Sequence, residues 1–160
     1  AVNELIIVLG HEEKIIENII GINKKIKFVY NKEFMNGISF SIKSGLNHLS
    51  KQTEAFFVCL GDMPMINQSI YNKLIKSRLS YNKKLNPKHK KDIFIPEYEG
   101  IKGNPILFSS LMKNQIMSTQ GDNGAKEIID SNKGKILSVK INNKSIICDF
   151  DTQEDFENLQ

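Results

Sequence analysis

One stretch of the chain, Phe56–Pro64, constrains the fold more than any other. Apolar residues run without polar interruption to Leu60, and Gly61 and Asp62 then end the run shortly before a proline. Continuous apolar runs are typical of strands buried in a parallel sheet, and open α/β sheets bind their ligands at the carboxyl ends of such strands. Asp62 is therefore either a turn residue that ends the strand or a carboxylate that holds a metal in a nucleotide site.

Length and composition limit the class of protein. The chain has 160 residues and a mass of 18.2 kDa, which is typical of a single domain spanning residues 1–160. Its longest apolar runs are far shorter than the roughly 20 residues that cross a bilayer, and its first residues lack the pattern of a signal peptide. We therefore expect a cytoplasmic protein with no membrane partner, in which Cys59 and Cys148 are free thiols.

The net charge is +4, and almost all of the positive charge comes from lysine. Much of it lies around Asn86–Pro87, in a polar segment without helical or strand periodicity. Such a segment is typical of a solvated loop, so we expect no nucleic-acid partner.

Strand and helix patterns alternate along the chain. Apolar runs predict strands at residues 5–9, 26–30, 55–60, 93–96, 105–108, 136–141 and 145–148. Helical periodicity and capping residues predict helices at 11–20, 39–49, 67–79, 109–117 and 122–131, and one more after Thr152. Turn glycines between residues 99 and 103 predict a hairpin-like connection. The alternation favours a three-layer α/β/α sandwich with a mostly parallel sheet.

Acidic residues also follow a late apolar run. Asp149 and Asp151 are two residues apart, so in a strand they would point to the same side. Carboxylates that converge from different strands make an oxygen site suited to Mg²⁺. The alternative is that Asp151 and Thr152 cap the last helix, with Glu154 or Asp155 in its first turn, and for Asp151 alone capping is favoured.

Three glycine-containing turns could contact a ligand, although each is also consistent with an ordinary cap or turn. They are Gly37–Ser41, Gly103–Pro105 and Gly121–Lys126, of which the last leaves backbone N–H groups that favour an anion. The sequence contains no GxGxxG or GxxxxGK[ST] motif, no nucleophile triad pattern, and no metal-ligand spacing among its histidines and cysteines.

Taken in order, these motifs resemble a known family. The matching segments are Leu9–His11, Tyr30–Asn31, Gly37–Leu46, Leu60–Pro64, Ile95–Gly100, Gly103–Phe108, Gly121–Lys126 and Asp149–Asp155. Over essentially its whole length the chain resembles the molybdenum cofactor cytidylyltransferase branch of the MobA-like nucleotidyltransferases. The resemblance implies a Rossmann-like nucleotidyltransferase fold. It also implies Mg²⁺-dependent transfer of CMP from CTP to the phosphate of molybdopterin, with release of pyrophosphate.

The resemblance also implies roles for individual residues. Asp62 would be the catalytic metal ligand, and Asp149 or Asp151 would supply the second carboxylate. The implied nucleotide-binding residues are Gly37, Ser39, Ser41, Gly45 and Gly61, and the implied acceptor-binding residues are Gly103, Asn104, Pro105, Gly121, Asp122, Gly124 and Lys126. The substrates would be CTP and a molybdopterin-type molecule, with a molybdoenzyme or its chaperone as a protein partner.

One part of the family pattern is missing from this sequence. The family opens with a strand, a glycine-rich loop that begins leucine-alanine-alanine-glycine and wraps the triphosphate, and a helix, and all three are absent from this sequence. We therefore expect that the domain is truncated at its N-terminus and that the chain as given transfers little CMP and binds CTP weakly. Two other readings are a related transferase for another small phosphorylated acceptor, and an inactive fragment that binds only the acceptor.

Overall fold

The computed structural model describes residues 2–83, 89–119 and 125–157. Its strands are β1 (Leu5–Leu9), β2 (Ile26–Tyr30), β3 (Ala55–Val58), β4 (Ile93–Tyr98), β5 (Ile101–Lys102), β6 (Ile106–Ser109) and β7 (Ile136–Lys140). Its helices are α1 (Glu13–Ile20), α2 (Ile38–Asn47), α3 (Gln68–Lys83), α4 (Lys113–Ser118), α5 (Lys126–Ser131) and α6 (Gln153–Glu157). The chain divides into two compact units, Ala1–Glu54 with Met112–Asn132 and Ala55–Leu111 with Lys133–Gln160.

The first unit is built on a β-α-β connection. Strands β1 and β2 are parallel, with Leu5 opposite Ile26 and Leu9 opposite Tyr30. Helix α2 packs against β1 so closely that a Cβ on Gly45 would lie 3.1 Å from Val8 Cγ2. Helix α1 carries its isoleucines on one face, as its periodicity predicts, but none of its residues is buried within the described part of the chain.

The second unit contains a five-stranded mixed sheet. Strand β6 lies between β3 and β4 and is antiparallel to both, whereas β7 is parallel to β4. A tight turn joins β4 to β5, and both of its central residues have positive φ, 49° at Glu99 and 85° at Gly100. Positive φ at both positions is the geometry of the two-residue hairpin turn whose twist matches that of paired strands. The predicted hairpin is thus confirmed.

Helix α3 covers one face of this sheet. It begins where Asn67 Oδ1 accepts a hydrogen bond from the backbone N–H of Ser69 at 3.0 Å, which confirms the predicted cap. Ile70 and Leu74 form its buried stripe, and they share a core cluster with Phe94, Leu107, Val139, Ile141 and Ile146. Each fully buried side chain of this kind contributes about 2 kcal/mol by leaving water, so this cluster fixes α3 and the sheet together.

The expectation of a mostly parallel sheet is not confirmed. Among the described strands, only the pairs β1–β2 and β4–β7 are parallel. The hairpin explains the difference, because it reverses the chain after β4 and returns β6 antiparallel between β4 and β3. Strands β3, β4 and β7 still run in the same direction.

Several local predictions differ from the structure. Residues 145–148 do not form a strand, because Asn143 Oδ1 accepts a hydrogen bond from Ser145 N–H at 2.9 Å and starts a 3₁₀ turn over Lys144–Ile147. The helix predicted at 109–117 is a 3₁₀ turn followed by α4, and α3 continues four residues beyond the predicted end at Leu79. The helix predicted from residue 122 is described only from Lys126, since residues 120–124 lie outside the described ranges.

None of the described helices is both long enough and apolar enough to span a membrane.

Candidate active site

Several of the residues predicted from the sequence lie along one edge of the second unit's sheet, the one formed by the carboxyl ends of its parallel strands. Because β3, β4 and β7 run in the same direction, their carboxyl ends meet at this edge, and the antiparallel strand β6 begins there. Val58, the last residue of β3, is paired with Ile106, the first residue of β6. The segment that leads to Asp62 and the segment Gly103–Pro105 therefore leave the sheet side by side.

Asp62 lies in the turn that follows β3 and is half-buried. Its carbonyl oxygen accepts a hydrogen bond from the backbone N–H of Phe150 at 2.8 Å. Its Oδ1 atom is buried and finds no hydrogen-bond partner within the described part of the chain. Leaving a buried carboxylate oxygen unpaired costs free energy, so such an atom favours a bound ligand that supplies positive charge or a donor. The neighbouring Met63 is buried and anchors the turn.

The Gly103–Pro105 segment is fixed by the 3₁₀ turn Lys144–Ile147. The N–H of Asn104 donates to the carbonyl of Ile146 at 2.8 Å, and the N–H of Gly103 donates to the carbonyl of Pro96 at 2.9 Å. A Cβ at Gly103 would lie 2.1 Å from the Ile146 oxygen, so only glycine fits this approach. The peptide bond between Asn104 and Pro105 is cis.

Asp149 and Asp151 flank Phe150, whose N–H contacts Asp62, and both are exposed. The backbone of residues 146–150 thus connects the turn of Asp62 to the segment of Asn104. The structure brings Asp62, Asn104 and the backbone of the two late aspartates to one edge of the sheet. Within the described residues, however, no three carboxylate, histidine or cysteine side chains are close enough to hold a metal by themselves.

Thr152 caps the last helix, and the expectation that Asp151 does so is not confirmed. Thr152 Oγ1 accepts from the N–H of Asp155 at 3.3 Å, and Asp155 Oδ2 accepts from the N–H of Thr152 at 2.8 Å. This is a reciprocal capping box, which places Asp151 one residue outside the cap. Hydrogen bonds from the hydroxyl and backbone of Thr152 and from the backbone of Asp151 lower the pKa of Asp155 below its usual 3.8.

The hydroxyl of Tyr71 on α3 contacts the segment between β3 and Asp62. It donates to Cys59 Sγ at 3.7 Å, and the Tyr71 ring meets Phe57 edge-on with the ring centroids 5.1 Å apart. Desolvation by burial raises the pKa of the Cys59 thiol and that of Tyr71, although part of Cys59 remains at the surface. These contacts support the end of the strand.

The predicted nucleotide segment, Gly37 to Gly45, lies in the first unit. Gly37 precedes α2 with φ at 107°, a backbone conformation that residues other than glycine rarely adopt. Ser39 is buried, and Ser41 Oγ accepts a hydrogen bond from Asn31 Nδ2 at 3.1 Å. Gly45 allows the close approach of α2 to β1 described above. Gly61, by contrast, has open space where a Cβ would be and is exposed.

Sequence reasoning did not assign a role to Asn31 or to Lys43. Asn31 is buried at the end of β2, and its Oδ1 accepts from the N–H of Glu33 at 3.0 Å while its Nδ2 holds Ser41. Lys43 on α2 donates to the carbonyl of Thr119, just after α4. The signals for Asn31 were its position directly after a strand and its place in the matching segment Tyr30–Asn31.

The last predicted acceptor segment can be described only in part. Gly121, Asp122 and Gly124 lie outside the described residues, while Lys126 is exposed at the first position of α5.

Comparison with known proteins identifies the family of the domain. Residues 1–136 match the MobA-like NTP transferase domain. The chain is 26% identical over 154 residues to the molybdenum cofactor cytidylyltransferase of Escherichia coli (strain K12), covering 96% of this chain and 72% of that protein.

Solved structures share the fold. One is Rv0371c of Mycobacterium tuberculosis H37Rv in complex with manganese, with a TM-score of 0.73 and 17% identity, covering 99% of this chain and 78% of that one. Another is the 4-diphosphocytidyl-2C-methyl-D-erythritol synthase of Anaerococcus prevotii, also with a TM-score of 0.73 and 17% identity, covering 98% and 77%. The family match covers most of the chain, so the protein belongs to the nucleotidyltransferases with a MobA-like NTP transferase domain.

Proposed function

We propose that this nucleotidyltransferase transfers CMP from CTP to the terminal phosphate of a molybdopterin-type acceptor and releases pyrophosphate. The observation that carries the proposal is Asp62 Oδ1, a buried carboxylate oxygen without a partner among the described residues, at the sheet edge where nucleotides bind in α/β folds. The similarity to a cytidylyltransferase of molybdenum cofactor supports the choice of substrates.

We assign Asp62 and one of Asp149 and Asp151 to a divalent metal, for which Mg²⁺ is the natural candidate. Carboxylate oxygens are the ligands that Mg²⁺ takes in phosphate-transferring enzymes, where waters and substrate phosphates complete its shell. The unpaired Oδ1 of Asp62 suits such an ion. The N–H of Phe150 donates to the Asp62 carbonyl, so the backbone of Asp149 and Asp151, the two neighbours of Phe150 in the chain, lies close to Asp62. A bound Mg²⁺ would neutralise charge on the phosphates as pyrophosphate leaves.

The remaining residues would bind and orient the substrates. We assign the nucleotide to Gly37, Ser39, Ser41, Gly45 and Gly61, and the acceptor to Gly103, Asn104 and Pro105 together with Gly121, Asp122, Gly124 and Lys126. An oxygen of the acceptor phosphate attacks the α-phosphorus of CTP in line, the new P–O bond forms, and the bond to the leaving pyrophosphate breaks. Such a reaction needs no protein nucleophile, because its rate comes from positioning and charge neutralisation.

Pyrophosphate release tests the proposal. The full-length gene product is incubated with Mg²⁺, molybdopterin and, in parallel, CTP, GTP or ATP, with and without acceptor. We expect acceptor-dependent release with CTP that exceeds release with the other nucleotides, and loss of that release in Asp62→Asn. Preference for GTP or ATP would overturn the assignment of CTP, and release that needs a different phosphorylated acceptor would overturn that of molybdopterin.

A further inference from the structure

A second candidate binding site lies in the second unit, at the opposite edge of the sheet from Asp62. A cavity of about 290 Å³ opens at the amino ends of the parallel strands β4 and β7. Its lining residues are Tyr81, His89, Lys90, Lys91, Asp92, Gly134 and Lys135. A cavity of this size is at the small end of the range for ligand pockets, so it suits a small molecule or a single charged group.

Hydrogen bonds to backbone atoms fix the walls of this cavity before any ligand binds. The side chain of Asn82 on α3 holds Lys91 at both ends of its backbone, through Nδ2 to the Lys91 carbonyl at 2.9 Å and from the Lys91 N–H to Oδ1 at 3.0 Å. The N–H of Asp92 donates to the carbonyl of Lys135 at 3.0 Å, and the Asp92 carbonyl accepts from the N–H of Ser109 at 2.7 Å. The two segments that line the cavity are therefore tied to each other, to the sheet and to α3.

The charges around the cavity are predominantly positive. Three lysines line it, whereas Asp92 is its single carboxylate among the described residues. Lys135 Nζ lies 4.0 Å from Asp92 Oδ2, at the outer limit of an ion pair, and Lys91 Nζ donates to the carbonyl of Gly134 at 2.5 Å. An ammonium group has three donors, so each of these lysines keeps donors for a further acceptor.

We propose that this cavity binds a phosphate group. A tetrahedral oxyanion offers several acceptor atoms and negative charge, which matches the lysines that line the cavity from two segments. The bland alternative is that the lysines are separately solvated and only raise the local potential. The proposal is independent of the function proposed above, because the two sites lie at opposite edges of the sheet and share no residue.

A titration with inorganic phosphate, followed by the backbone amide signals in NMR spectra at low ionic strength, tests the proposal. We expect the signals of Asp92, Gly134 and Lys135 to move together and to saturate. Lys135→Ala should weaken the binding about fivefold, the effect of removing one charge about 4 Å from a solvated anion. Asp92→Asn should strengthen it by a similar factor, because it removes the repelling carboxylate and releases Lys135.

Lys133→Ala is the matched control, since Lys133 belongs to the same 3₁₀ turn as Lys135 but does not line the cavity. It should change the affinity less than twofold. Lys90→Ala provides a second test at an exposed position outside the turn. It should also weaken binding, which separates loss of charge from any disturbance of the turn by Lys135→Ala. Non-saturating shifts, saturable shifts at other residues only, or equal weakening by Lys133→Ala and Lys135→Ala would overturn the proposal.

Discussion

Replacing Gly103 by alanine perturbs the contact between the Gly103–Pro105 segment and the backbone of residues 146–150, which leads to the turn of Asp62. The new Cβ would lie 2.1 Å from the carbonyl oxygen of Ile146 and 2.7 Å from its carbon, and both are backbone atoms that cannot rotate away. The 3₁₀ turn has to move, which breaks the hydrogen bond from Asn104 N–H to Ile146. Ile146 is fully buried in the core cluster, so its displacement also disturbs packing against α3 and the sheet.

The expected cost follows from these terms. The lost hydrogen bond is worth about 1 kcal/mol, and overpacking costs about 1–3 kcal/mol. Alanine restricts the unfolded chain and returns about 0.4–1 kcal/mol. We therefore expect Gly103→Ala to lower the free energy of unfolding by about 2 kcal/mol.

Urea unfolding followed by tyrosine fluorescence measures this change, because Tyr71, Tyr81 and Tyr98 of the four tyrosines belong to the second unit. Gly134→Ala is the matched control, since a Cβ there meets no atom within 4 Å and its φ is not in the left-handed region. The control should be neutral or slightly stabilising. If Gly103→Ala unfolds at the same urea concentration as the unmodified protein, the close approach to Ile146 is not a constraint.

Two further predictions concern local polar contacts. Asn31→Ala removes the hydrogen bonds to Ser41 and Glu33, so it should lower the free energy of unfolding, measured by chemical denaturation, by about 2 kcal/mol. The control Asn47→Ala, at the exposed end of α2, should change the free energy of unfolding by less than about 0.5 kcal/mol. The lowered pKa of Asp155 means that its contribution to α6 is fully present above its unfolded value of 3.8 and is lost as the pH falls through the folded pKa. Amide signals of α6 should therefore shift towards coil values only below that pH, and in Asp155→Asn this pH-dependent step should disappear.

Much of the fold follows from local sequence patterns. The apolar runs at β1–β4, the Asn67 cap and the hairpin after β4 each depend on neighbouring residues, and the structure confirms them. The direction of β6 depends on where the hairpin returns, which is a matter of pairing between distant segments. Residues Ser145–Cys148 have the composition of a strand, but the side chain of Asn143 and the partners of Ile146 decide for a turn.

The candidate site shows the same division. Asp62 was identified by its place after an apolar run and by its family motif, whereas the unpaired state of its Oδ1 depends on tertiary packing. Asn31 was given no role because asparagine after a strand is common, and its bonds to Ser41 and Glu33 depend on the folded backbone around it. The cavity at the opposite edge depends on Asn82 and Lys91, which a polar segment separates in the sequence.

Binding of Mn²⁺ in the presence of CTP tests the central claim, that Asp62 is a metal ligand, most directly. Mn²⁺ replaces Mg²⁺ and its free concentration can be followed by electron paramagnetic resonance. With the full-length gene product, we expect Asp62→Asn to weaken Mn²⁺ binding by about tenfold or more, while Asp130→Asn, an exposed acid on α5, leaves it unchanged. Equal Mn²⁺ affinity in the unmodified protein and in Asp62→Asn would contradict the assignment.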